Sequence, residues 1–161
     1  MPKTHAAGGE ADIVYHYEAC ADYPAHALLL EATLSSGTNQ RRMEMEPVSR
    51  HLGQHLLKHA NLSSYCIFAT NDLNINVLSD FRGRKNMLYY DVQNVEQYIS
   101  GMKIIPLKTA ELKEILQRGI TYRQLYPLFE DAFRSKVLPH EWYAQMIEMP
   151  LRRDKGTIEG E

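Results

Sequence analysis

Cysteine is scarce: only Cys20 and Cys66 occur in 161 residues. Their spacing fits neither a disulfide framework nor a metal knuckle, so both are expected as reduced thiols of an intracellular chain. No apolar run is long enough to span a membrane, and no apolar core follows Met1, so neither a membrane anchor nor a signal peptide is expected. The expected location is cytoplasmic. Neither sign of charge dominates: Lys+Arg 18 stand against Asp+Glu 20, a net charge of −2. That excludes a generic basic nucleic-acid coat protein. It leaves a nuclease open, because an acidic catalytic centre offsets basic phosphate contacts elsewhere. Two familiar loops are also missing. Ser35-Ser36-Gly37 lacks the Gly-x-Ser-x-Gly frame of a nucleophile elbow. Gly8-Gly9 is not followed by the Gly-Lys-Ser/Thr of a phosphate loop.

The length fits one domain, and a hydrophobic fraction of 44% supports a real core. Residues 1–11 read as a disordered or truncated N-terminus, 12–150 as the domain, and 151–161 as a flexible tail. Alternating β-formers at 12–17 and the apolar run 27–34 predict two strands paired antiparallel. A helix is expected over 38–59, broken near Glu46 by Pro47. A short internal strand follows at 65–69, then a short helix within 71–81. Residues 81–85 read as a basic loop and 92–100 as another short helix. A strand at 102–107 is expected to end at Pro106. Thr109 is expected to cap a helix over 110–117, and another follows over 121–135. Pro139 opens a last helix carrying Trp142, Met146 and Ile147. Strands, helix, strand and further helices make an α/β domain in three layers.

The chemistry centres on Glu31. A carboxylate near the end of a buried strand is costly without a partner. Residues two apart share a strand face, so Glu31 and Thr33 point the same way. On the next helix Gln40, Glu44 and His51 recur at helical spacing. Asp12 lies on the neighbouring strand, where one acid from each strand can meet across the ladder. Two such carboxylates repel unless a cation sits between them. Carboxylates with an imidazole and no cysteine suit Mg²⁺ or another hard cation. The plainer alternative is that Asp12 starts a strand at the surface and Glu31 pairs with an arginine. His51, His55 and His59 recur every fourth residue, but three such rings rarely converge on one ion without a second element and the glutamate of His-Glu-x-x-His is missing, so a polar helix face with one functional His is expected instead of a zinc site. Arg41, Arg42, Arg50, Arg82, Arg84 and Lys85 form the basic clusters and suit phosphate contacts that fix DNA register. Ordinary solvated charge is the alternative for each.

One phrase goes further. Leu30-Glu31-Ala32-Thr33-Leu34, then Ser36-Gly37, Gln40, Glu44, Glu46-Pro47-Val48 and Arg50-His51-Leu52, resembles the catalytic region of AlwI-type restriction endonucleases. The resemblance runs from about Asp12 to Leu116 and is most specific between Leu28 and Leu52. It implies the PD-(D/E)XK nuclease fold, a restriction-endonuclease-like αβββαβ core, here expected to lack its first helix. Asp12, with Ala11 for proline, takes the first acidic position and Glu31 the second. Thr33 stands where most of that superfamily has lysine, so transition-state charge falls to the metal or to an arginine such as Arg41 or Arg42. Glu44 and His51 match the further acid and histidine on the following helix, and Gln40 supports them. Asp12, Glu31 and Glu44 are then expected to bind Mg²⁺, with Mn²⁺ as a substitute, and His51 to position or deprotonate water.

The resemblance implies a Mg²⁺-dependent DNA endonuclease, a type IIS or nicking cleavage domain or small subunit. Double-stranded DNA, a separate recognition domain or large subunit, and a transient dimer are its expected partners. One alternative is a degenerate, non-catalytic nuclease-fold module that binds DNA or a partner subunit. Another is a repair or phage-associated nuclease selective for DNA structure.

Overall fold

The computed structural model describes residues 3–4 and 11–153. Seven strands are laid out in two sheets among these residues: β1 (Lys3–Thr4), β2 (Ile13–Tyr17), β3 (His26–Thr33), β4 (Ser63–Thr70), β5 (Leu88–Tyr90), β6 (Tyr98–Ser100) and β7 (Lys103–Lys108). The main sheet runs β1-β2-β3-β4-β7, and β5 pairs with β6 apart from it. β1, β2 and β3 are antiparallel neighbours; β3, β4 and β7 are parallel. The expected antiparallel pair is therefore present, with Ile13 opposite Leu30 and Tyr17 opposite His26. Pro106 does not end its strand. β7 is the sheet edge, where a missing N–H is tolerated.

Helices cover both faces. α1 (Gly37–Lys58) lies on one side; α3 (Thr109–Gln117), α4 (Tyr122–Arg134) and α5 (Pro139–Tyr143) pack on the other. α2 (Ile75–Gly83) contacts α1, β7 and α5, with Val77 and Phe81 in one core and Leu78 in the other. Strand alternation sorts the sheet residues between these cores. Ala27, Leu29, Cys66, Phe68 and Ile104 face α1, where Met45, Val48 and Leu52 meet them. Leu28, Leu30, Tyr65, Ile67, Ile105 and Leu107 face α4, where Leu125 and Phe129 are buried.

Several expectations change. The helix does not break at Pro47; α1 continues through it for 22 residues. A mid-helix proline costs about 3 kcal/mol, and burial of Met45, Val48 and Leu52 along one stripe offsets it. The 92–100 segment is no helix. Asp91 and Asn94 accept the N–H groups of Gln93 and Glu96 in local turns, and the chain returns as β6. Residues 81–85 finish α2 and enter a 3₁₀ turn (Arg84–Asn86) instead of forming a loop. Lys108, not Thr109, stands at the N-cap of α3, and Thr109 donates instead to Asn71 Oδ1. Near the start of the chain, Lys3–Thr4 pairs with Val14 and Ile13 as β1. At the other end α6 (Met149–Arg153) follows a π-helical turn, and Leu151 is buried. The remainder of both expected flexible termini lies outside the described residues.

Candidate active site

The site forms where β3 leaves the sheet and α1 begins. Glu31 shares its strand face with Ala27 and Leu29, so it points at α1 among apolar neighbours. The residue is 8% exposed. His51 meets it from α1, with Nδ1 2.7 Å from Oε1. Helical continuity through Pro47 keeps Glu44 on the same face as His51, seven residues on. Thr33 Oγ1 donates to Glu44 Oε1 at 2.6 Å, and Ser35 Oγ donates to the same oxygen at 2.8 Å. Across the ladder, Asp12 precedes the Ile13–Leu30 pair and so stands beside Glu31. Its Oδ2 accepts the Ala32 N–H at 3.0 Å.

The electrostatics bind these side chains into one group. Burial raises the Glu31 pKa above its ordinary value. The hydrogen bond and charge of His51 pull it down, and the negative charges of Asp12 and Glu44 push it up again. The net shift is upward. Glu31 is thus a buried acid whose carboxylate form is undersupplied with positive charge. Nearby Cys66 registers the same field: burial first, then Glu31 and Asp12, lifts its thiol well above the usual range.

Gln40 is fully buried under this group. Its Nε2 lies within hydrogen-bond distance of Ser35 O, Thr70 Oγ1 and Asp72 O, at 3.0, 2.8 and 2.7 Å. Its Oε1 accepts the Asn74 N–H. One amide therefore joins the turn after β3 to the turn after β4. Ser35 and Thr70 carry no sequence signal of their own. Ser35 falls at the unspecified position of the motif phrase and is found only through its bond to Glu44.

The six basic residues do not gather at the acids. Arg41 pairs with Asp80 at 2.5 Å, and Arg50 with Glu46 at 2.8 Å. Arg82 donates to the carbonyls of Val137 and Ser135, and Lys85 to that of Ser135. These two hold the carbonyls at the C-terminal end of α4. Arg84 Nη1 contacts Met87 Sδ. Arg42 is exposed on the first turns of α1, on the side of the sheet that carries the acids.

The sequence profile of the AlwI restriction endonuclease family matches residues 1–115. The chain belongs to that family. The match spans β2, β3 and α1, and hence every acid of the site. Among solved structures, this AlwI-family chain resembles the small subunit (R.BspD6I2) of the heterodimeric restriction endonuclease R.BspD6I. The superposition has a TM-score of 0.61 and covers 90% of this chain and 69% of that one, at 20% sequence identity. At that identity the likeness establishes the fold, a mixed α/β restriction-endonuclease fold. No curated protein sequence matches the chain. No described helix is long and apolar enough to cross a membrane.

Proposed function

We propose that this AlwI-family chain is a Mg²⁺-dependent DNA endonuclease subunit, hydrolysing phosphodiester bonds at the Asp12–Glu31–Glu44–His51 group. The observation that carries the reading is Glu31: a carboxyl whose pKa is raised first by burial, is opposed by one imidazole, and is raised further by two neighbouring carboxylates. That donor set fits a hard divalent cation, which takes oxygen ligands and supplies the missing positive charge. Asp12, Glu31 through Oε2, and Glu44 are its candidate ligands. Among the described residues no group of three or more His, Cys, Asp or Glu side chains is arranged to hold a metal ion; the reading rests on the chemistry of the donor set. When bound, such an ion supplies Lewis-acid stabilisation of phosphate charge and a more acidic water.

The chain's own residues do the rest. With the Glu31 carboxylate accepting from Nδ1–H, the His51 tautomer is fixed and Nε2 is left as the proton acceptor. Thr33 and Ser35 hold one Glu44 oxygen, which aims the other. Thr33 carries no charge, so it cannot take over the electrostatic part of a lysine; exposed Arg42 is the candidate phosphate contact. Double-stranded DNA is the substrate, and a recognition subunit is the partner, in line with the heterodimeric enzyme whose small subunit this chain resembles.

The test is cleavage of duplex DNA with the recognition partner present, paired with thermal unfolding against Mg²⁺. The reading expects metal to raise the Tm and Asp12→Asn to abolish that rise, since a ligand stabilises by about 2.7 kcal/mol at a hundredfold excess over Kd. A wild-type chain with neither metal-dependent stabilisation nor cleavage would instead be a non-catalytic nuclease-fold module.

A further inference from the structure

The β5–β6 hairpin stands apart from the main sheet and takes no part in the acid site. Its inner face fastens it to the fold. Tyr89 and Ile99 oppose each other across the ladder and pack into the core beneath α1. Tyr89 lies so close to that helix that a Cβ at Gly53 would stand 2.5 Å from its ring. At the base, the Gly101 and Met102 N–H groups donate to Met87 O and Arg84 O. The outer face has no such cover. Alternation turns Leu88, Tyr90 and Tyr98 away from α1, and all three are exposed, as are Met87, Val92 and Val95. These are six of the thirteen large apolar side chains exposed among the described residues, gathered in one short stretch. Scattered apolar residues need no explanation, but a gathered patch of several hundred Å² marks an interaction surface.

Charge selects the occupant. Residues 86–102 contain no Lys or Arg and two acids, Asp91 and Glu96, both at the hairpin tip. A DNA backbone is repelled from such a surface. Arg84 and Lys85 stand at the other end, just before β5. Arg84 Nη1 meets the Met87 sulfur, and its Nε is buried with no hydrogen-bond partner among the described residues. An apolar face with an acidic tip and a basic base complements itself when turned end for end. We propose that the outer faces of two β5–β6 hairpins pack together about a two-fold axis crossing their strands, so that a second copy of this chain is the partner. The tip of each hairpin then lies over the base of the other, and Asp91 and Glu96 meet Arg84 and Lys85 twice by symmetry. The opposite alignment sets acid on acid and is disfavoured. Two faces of several hundred Å² approach the roughly 1,200 Å² at the lower end of specific interfaces, which makes a weak dimer. The helix that seats each hairpin, α1, also carries Glu44 and His51, so the dimer holds two acid centres.

The experiment is sedimentation velocity of the full chain, without DNA, over a concentration series. The expected result is a reversible monomer–dimer equilibrium with a Kd on the order of 10 µM. Tyr98→Ser removes the middle of the face and should weaken association at least tenfold. Val95→Ser changes a residue that is 71% exposed, so it should weaken association while leaving the Tm close to wild type. Arg84→Glu and Glu96→Arg should each weaken it about tenfold, and the two together should restore it. A wild-type chain that stays monomeric overturns the proposal and leaves the face to another protein. Assembly beyond a dimer, or pairing only on duplex DNA, overturns it too. So does wild-type association in both Tyr98→Ser and Val95→Ser, or a charge pair whose losses add instead of cancelling. The readout is association alone, so its failure does not touch the nuclease reading.

Discussion

Glu31 and Glu130 are nearly equally buried, with side chains 11% and 12% exposed. They sit on opposite sides of the same sheet, and their acidities move in opposite directions. Burial alone raises both. At Glu130 it is overcome: the Tyr65 hydroxyl donates to it, Lys103 Nζ lies 2.9 Å away and Arg134 Nη2 2.7 Å away, and the pKa ends below the ordinary value. At Glu31 a single imidazole works against burial and two like charges, and the pKa ends above it. One buried acid is neutralised by the fold. The other is left short of positive charge. The contrast is why the proposed nuclease reading is placed on Glu31 and not on Glu130.

The sharpest way to break this contrast is to remove each charge. Glu31→Gln is expected to lower the DNA cleavage rate by about a thousandfold or more, roughly 4 kcal/mol of transition-state stabilisation, without lowering the metal-free Tm. Relief of the repulsion with Asp12 and Glu44 should hold the Tm level or raise it. Glu130→Gln should do the reverse. It strands Lys103 and the Tyr65 hydroxyl and costs about 2 kcal/mol, read as roughly 4–8 °C of Tm, with the cleavage rate of the folded fraction intact. Equal loss of stability in both variants would erase the distinction.

A second effect, smaller and confined to acid, follows from the signs. Glu31 is raised in the fold, so its contribution is fully present below the ordinary value of 4.5 and is lost as pH rises through the folded pKa. Glu130 is lowered, so its contribution is present above 4.5 and is lost as pH falls through its folded pKa. The Tm of Glu31→Gln minus wild type should therefore grow from pH 4 towards neutrality. That of Glu130→Gln minus wild type should become more negative over the same change. Parallel curves would refute the opposed shifts.

Much of this was readable beforehand, and the residues show why. Glu31 stood out because a charge inside Ala27–Leu34 violates an otherwise apolar strand, and period-two alternation fixed its face. The pairing of Asp12 with that strand followed from the same alternation. The continuity of α1 through Pro47 did not follow, because local propensity argues for a break and only burial of Met45, Val48 and Leu52 decides otherwise. Arg82 and Lys85 looked like a free basic cluster. Their partners, the carbonyls of Ser135 and Val137, lie some fifty residues away and leave no local trace. Ser35 was invisible for a similar reason: a serine beside Ser36-Gly37 reads as a turn until Glu44 is placed against it.

The mildest expected effect tests whether the α4 side is as fully satisfied as Glu130 suggests. His26 is 1% exposed at the start of β3. Its Nδ1 lies 2.7 Å from Pro24 O, which can only accept, so Nδ1 carries the proton and Nε2 accepts from the Tyr122 hydroxyl at 2.8 Å. The ring stacks on Tyr17 and Tyr122. Burial holds the His26 pKa below its ordinary 6.5, against the opposing Pro24 bond. The neutral ring is the folded form, so its stabilisation is present above pH 6.5 and is lost as pH falls through the lowered folded pKa. We expect the wild-type Tm to drop a few degrees on acidification through that window. His26→Gln should start lower at neutral pH but fall less. If both proteins lose Tm in parallel as the pH falls, the acid sensitivity lies elsewhere, and this side of the sheet holds no titrating group that its neighbours fail to satisfy.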